Sequence, residues 1–162
     1  MKTAIVYFSL NGNTEFVASA VAGRLGAELI RLTPKKAFPD SGFKKFLWGG
    51  KSAMMKEKPE LEPYEFDAEK YGRVIFGTPV WASRFAPPLR TFIAGNADAL
   101  KGKRFAVFTC FSGGGADKAI ARLKELLGAD LDAELILVDP KDKPSEENEA
   151  KIAGFCGKLE ED

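Results

Sequence analysis

The chain has 162 residues, 45% hydrophobic and 29% charged, which is enough for one domain with a sizeable core and ordinary for a soluble globular protein. A formal charge of +1 leaves no global basic field for nucleic acid, and the absence of histidine removes Ser-His and Cys-His nucleophile pairs and the common zinc and haem ligand sets. The two cysteines, Cys110 and Cys156, are too few for a four-cysteine iron–sulfur site and too far apart for C-x-x-C, so any redox chemistry needs a bound organic cofactor.

No apolar run approaches the roughly 20 residues of a membrane span. The first residues enter a strand at once, without the apolar region of a signal peptide, and the expectation is a cytoplasmic protein. Ala4-Ile5-Val6-Tyr7-Phe8 is β-branched and aromatic, the pattern of a strand buried on both faces. Ser9-Leu10-Asn11-Gly12-Asn13-Thr14 follows as a polar loop. Phe16, Val17, Ala20 and Val21 then mark one face of a helix, which Gly23 and Gly26 stop. Glu28–Leu32 reads as a more polar strand at a sheet edge.

Residues 35–70 carry prolines and glycines that break long elements, and they read as an irregular insertion with a short helix at 42–48. Gly49-Gly50-Lys51-Ser52 imitates a nucleotide loop, but the glycine that pattern requires is replaced by Lys45 and no strand precedes it. Between Lys35 and Lys58 seven lysines face only Asp40 and Glu57. Such a run is a solvated loop or, with Phe43, Phe46 and Trp48, a basic docking arm.

Val74–Gly77 is the third strand, ending in Thr78-Pro79-Val80-Trp81-Ala82-Ser83, and Pro87-Pro88 opens a helix over 89–94. Phe105–Cys110 is the fourth strand and Phe111-Ser112-Gly113-Gly114-Gly115 its loop. Ala116–Leu127 is an amphipathic helix with Ile120, Leu123, Leu126 and Leu127 inward, capped by Gly128. Leu135–Val138 is the fifth strand. Ser145 caps a last helix whose first turn is acidic.

Five apolar strands alternating with helices predict an α/β fold: three layers, with a doubly wound five-stranded parallel sheet in the order 2-1-3-4-5. In such sheets ligands bind at the carboxyl ends of the strands, where the winding reverses between strands 1 and 3. The loop after strand 1 feeds a helix N-terminus, where free N–H groups and the helix dipole favour an anion. It contains no Lys or Arg, so a phosphate there would be held by oriented dipoles. By itself it reads equally well as a connection with an N-cap at Asn11 or Asn13.

The motif S-x-N-G-N-T, from Ser9 to Thr14 directly after the first strand, resembles the FMN-phosphate loop of the flavodoxin family. That resemblance implies one flavodoxin-like FMN-binding domain over 1–162 that acts in electron transfer. In it Ser9, Asn11, Gly12, Asn13 and Thr14 hold the FMN phosphate. Thr78, Pro79, Val80, Trp81 and Ala82 run along the isoalloxazine, and Phe111, Ser112, Gly113, Gly114 and Gly115 lie near its pyrimidine end. No catalytic residue or metal ligand is implied. The expected partners are redox proteins or a small electron acceptor, with the chain a monomer or weak homodimer. An FMN-dependent NAD(P)H:quinone-type oxidoreductase on the same fold is the alternative.

The sequence departs from the family pattern in three places. Ala82 stands where a Gly often follows the second-loop aromatic, which raises the cost of a positive φ by roughly 1 kcal/mol or more and implies a less stabilised one-electron-reduced flavin. The third loop lacks the usual Tyr and offers Phe111. The net charge is near neutral where many relatives are acidic.

Overall fold

The computed structural model describes residues 1–39, 51 and 56–161. The helix expected at 42–48, with Phe43, Phe46 and Trp48, lies outside the described residues. The described elements are β1 (Thr3–Tyr7), α1 (Asn13–Leu25), β2 (Glu28–Arg31), β3 (Arg73–Trp81), β4 (Arg84–Phe85), α2 (Pro87–Gly95), α3 (Ala97–Leu100), β5 (Arg104–Phe111), α4 (Ala116–Leu127), β6 (Ala133–Val138) and α5 (Glu146–Glu160). Between β2 and β3 the described stretch holds an isolated bridge from Pro34 to Leu61 and a 3₁₀ turn at Ala68–Lys70.

The sheet runs β2-β1-β3-β5-β6, all parallel, which is the expected doubly wound order. β4 is an addition: two residues folded back antiparallel on the end of β3, pairing Val80 with Phe85 and Trp81 with Arg84. β3 itself does not stop at Gly77. It continues through Pro79, which stands opposite Cys110 of β5. A proline carries no N–H for a ladder, and its place near the strand's end limits that loss.

Alternation along the strands divides the core in two. Val6, Phe76 and Val107 face α2 and α4 and pack with Leu89, Phe92, Ile120 and Leu123. Ile5, Ile75 and Phe108 face α1 and α5 and pack with Val17, Val21, Ile152 and Phe155. Gly77 serves the second layer: a Cβ there would lie 2.2 Å from Cζ of Phe108, so the ring occupies the space a side chain would take. β2 exposes Glu28, Leu29 and Arg31, as an edge strand does.

Two helix faces differ from the pattern read in the sequence. α1 buries Thr14, Val17, Ala18, Val21 and Ala22, at i, i+3, i+4, i+7 and i+8, while Phe16 is exposed. The small Ala18 and Ala22 let the helix approach the sheet closely, and the bulky Phe16 falls outside that stripe. On α4, Ile120 and Leu123 are buried but Leu126 is exposed. Ser145 caps α5 by accepting the Asn148 N–H at 3.1 Å. No described helix is long and apolar enough to cross a membrane.

Candidate cofactor site

β1, β3 and β5 are adjacent and parallel, so the loops that follow them emerge at one sheet edge. They enclose a cleft. Its walls include Leu10, Asn11, Asn13 and Thr14 from the first loop, and Pro79, Val80, Trp81 and Ala82 from the second. Cys110, Phe111 and Ser112 of the third complete it, with Asp139 at the end of β6. Nine of the residues singled out in the sequence therefore line one cavity. Ser9, Gly12, Thr78, Gly113, Gly114 and Gly115 stand beside or behind it.

The first loop has no side-chain N-cap on α1. Gly12 occupies the cap position with φ 98°, a left-handed conformation, in place of either asparagine. Ser9 Oγ accepts the Glu15 N–H at 3.1 Å, one turn into the helix. The N–H groups of Gly12, Asn13 and Thr14 take no side-chain acceptor among the described residues. Asn13 is instead a tie to the β6–α5 loop: its Oδ1 accepts the Lys141 N–H at 2.8 Å, and its Nδ2 donates to Asp142 Oδ2 at 2.8 Å.

The second loop is a two-residue hairpin. Ala82 and Ser83 have φ 49° and 58°, and the pair Trp81–Arg84 closes around them. Positive φ at both central residues defines the type I′ turn, which matches the twist of the strands and usually carries Asn-Gly. Here two residues with side chains hold it. The Arg122 guanidinium donates to the Ser83 carbonyl. Gly115, with φ 86°, packs directly against Ser83: a Cβ there would sit 2.1 Å from its Oγ and 2.9 Å from its Cα. The third loop's final glycine thus seats the second loop.

Trp81 is held edge-on by two rings, Phe8 at 5.6 Å and Phe38 at 5.1 Å between centroids. Phe38 comes from the insertion, so that segment reaches the cleft. Thr78 is buried behind the loop, where its hydroxyl donates to the Pro79 carbonyl and accepts the Ala86 N–H, both at 2.8 Å.

Leu10, Cys110, Asp139 and Lys141 are site neighbours that the motifs did not mark. The rule that ligands meet the carboxyl ends of strands applied to the fifth strand as well, and Asp139-Pro140 was its end. Burial pushes the Cys110 thiol up to about 12, against a hydrogen bond from Thr14 that lowers it, so it stays protonated. Asp139 has φ 39°, and its carboxylate pairs with Lys143 at 3.4 Å. Among the described residues no cluster of His, Cys, Asp and Glu could hold a metal ion.

A family model described as "Flavodoxin domain" matches residues 51–139. Among solved structures, one is a Lactobacillus acidophilus flavoprotein in complex with FMN, at 20% identity and TM-score 0.72 over 87% of this chain and 95% of that one. Another is the two-electron reduced flavodoxin of Megasphaera elsdenii, at 19% identity and TM-score 0.60 over 98% and 99%. A third is the Trp repressor binding protein of Bacillus subtilis, at 14% identity and TM-score 0.62 over 96% and 99%. No curated protein sequence matches the chain.

Proposed function

The chain belongs to the flavodoxin domain family, and from that premise we propose that it binds FMN in the three-loop cleft and works as an electron-transfer protein. The observation that carries this reading is the open N-terminus of α1. Its N–H groups at Gly12, Asn13 and Thr14 have no side-chain acceptor among the described residues, and Asn13 and Thr14 line a cleft walled by Trp81. A structural loop satisfies such donors locally; a phosphate satisfies them from outside. The flat, partly apolar flavin ring suits a wall made of Trp81, Val80 and Phe111.

FMN supplies the redox chemistry when bound, taking and releasing electrons. The protein's part is to hold it and shape its surroundings. Ser9 and Thr14 position the phosphate loop. Ala82, at the lip of the cleft, would border the bound ring. Cys110 stays a neutral neighbour. Among the described residues Asp139 is the one carboxylate that lines the cleft, and it is engaged by Lys143. That environment suits a carrier that passes electrons between partner proteins or to a small acceptor.

The oxidoreductase reading is kept by one observation. Arg84, Arg90 and Arg122 surround the hairpin, and none pairs with a carboxylate among the described residues. Arg90 lies over the Phe85 ring at 4.9 Å, and Arg84 keeps a buried Nε without a hydrogen bond. Cations so placed favour an anionic electron donor such as NAD(P)H. FMN-loaded protein mixed with NADPH without oxygen separates the two. A carrier keeps its oxidised flavin absorbance until a separate reductase or dithionite is added. Rapid bleaching by NADPH alone makes the protein a reductase.

A further inference from the structure

The first loop lacks a cation of its own, yet the fold brings one to it. Lys141 lies in the loop after β6, roughly 130 residues away in sequence. Its Nζ donates to the Asn11 carbonyl at 3.3 Å, and its side chain lies against Gly12. A Cβ on Gly12 would come within 2.8 Å of that Nζ and 3.3 Å of the Lys141 Cδ. Gly12 is therefore needed twice, for its left-handed φ and for the space the lysine takes.

The placement is fixed from both ends. The Lys141 N–H is held by Asn13 Oδ1 at 2.8 Å, and Asn13 Nδ2 holds the Asp142 carboxylate at 2.8 Å. The neighbouring acids are otherwise occupied. Asp142 faces Asn13, Asp139 pairs with Lys143 at 3.4 Å, and Glu15 pairs with Arg31 at 2.6 Å. Lys141 has no carboxylate partner among the described residues; its only hydrogen-bond acceptor there is a backbone carbonyl. A bare ammonium fixed beside a helix N-terminus whose first N–H groups take no side-chain acceptor among the described residues adds a full charge to the dipole's partial one.

We infer that Lys141 supplies the counter-charge for the FMN phosphate, so that this chain binds the flavin's anionic end by a lysine from the β6–α5 loop as well as by backbone N–H groups. The inference rests on the FMN reading above. It makes Lys141 a residue that selects FMN over uncharged riboflavin.

The test is fluorescence titration of the full chain, freed of flavin, with FMN and with riboflavin, at low and at physiological ionic strength. Lys141→Gln is expected to weaken FMN about three- to tenfold at low ionic strength. It is also expected to flatten the salt dependence and to leave riboflavin unchanged. Lys141→Arg is expected to restore most of the FMN affinity. Lys141 is exposed, and thermal melting of the flavin-free variants checks that both fold alike. Unaltered FMN affinity and salt slope in Lys141→Gln, with tight FMN binding by the unsubstituted chain, overturns the inference and leaves the FMN reading standing. An equal loss for FMN and riboflavin also overturns it, since that marks a loop-positioning role. Failure of the unsubstituted chain to bind either flavin overturns both readings.

Discussion

Ala82 and Ser83 occupy a backbone region that side chains avoid, and they do so at the lip of the cleft. Each left-handed residue with a Cβ costs about 1–2 kcal/mol. The hairpin persists because Arg122 holds the Ser83 carbonyl and Gly115 leaves room for Ser83. Ala82→Gly should therefore stabilise the flavin-free protein by about 0.5–1 kcal/mol, the relief of strain less the entropy glycine adds to the unfolded chain. The midpoint of urea unfolding measures it, and a lower midpoint would contradict the strain argument. Gly115→Ala is expected to act the other way. Its Cβ meets Ser83 backbone as well as side chain, so a loss of about 2–3 kcal/mol and weaker flavin binding should follow. Gly114→Ala, with nothing within 4 Å, is the control and should be near neutral. The Ala-Ser turn was not legible in the sequence, since neither residue signals a type I′ turn. The place of Asn11, Asn13 and Thr14 in the cleft wall was legible because the loop after a first strand is a local pattern. Lys141 was not, because only the tertiary fold carries it to Asn11.

Buried thiols and phenols also set an alkaline limit: burial raises Tyr7 and Cys156, and Cys110 and Tyr71 move furthest. Burial raises the Cys110 thiol from 9.0 to about 12, and a hydrogen bond to Glu28 raises Tyr71 from 10.0 to about 12. Tyr71 donates to Glu28 Oε2 at 2.5 Å. In both the folded state holds the proton more tightly than the unfolded chain. The stability they contribute is complete below pH 9, where neither unfolded group ionises, and it is lost between about pH 9 and 12. Unfolding free energy measured across that window should fall with pH, less steeply in Tyr71→Phe, which removes one of the two groups. A flat profile would show that neither group is held this way.

At the scale of elements, the amino ends of the strands carry an ion-pair cluster and the carboxyl ends carry the cleft. Arg73 opens β3, Arg104 opens β5, and Asp132 directly precedes β6. Their side chains meet, with Asp132 Oδ2 2.9 Å from Arg104 Nε and 3.5 Å from Arg73 Nε. Arg73 also donates to the Leu159 carbonyl at 2.8 Å near the end of α5. Arg73 is only 4% exposed, so losing its carboxylate strands a buried charge. Asp132→Asn should cost about 2–4 kcal/mol. Because this edge is opposite the cleft, flavin affinity should stay unchanged at temperatures where the variant is folded. Urea unfolding and FMN titration read the two effects separately, and a fall in affinity would show that the edges are coupled. The strands themselves were legible as continuous apolar runs, and their order followed from a polar second strand that had to sit at an edge. β4 was not, because two residues have no periodicity and Pro79 looked like the end of a strand that in fact runs on to Trp81.

The whole molecule is nearly neutral, yet its charge is unevenly placed. The acids at the start of α5, Glu146, Glu147 and Glu149, belong to the helix on the α1 face of the sheet. The cleft side is basic. Lys36 and Lys51 line a recess with Phe38, whose ring touches Trp81, and Arg84, Arg90 and Arg122 surround the hairpin. Glu57 in the recess and Asp139 in the cleft offset only part of this. A local field of one sign acts on approaching reactants within about a Debye length, roughly 10 Å at moderate ionic strength, whatever the net charge. Reduced, FMN-loaded protein should therefore react faster with ferricyanide than with a cationic acceptor of similar driving force. Stopped-flow rates should fall severalfold for ferricyanide as ionic strength rises, and rise for the cation. Substituting Arg84, Arg90 and Lys36 by glutamine should bring the two slopes together. If both slopes are already flat in the unsubstituted protein, the basic rim does not steer electron exchange, and the lysines of the insertion are solvating groups.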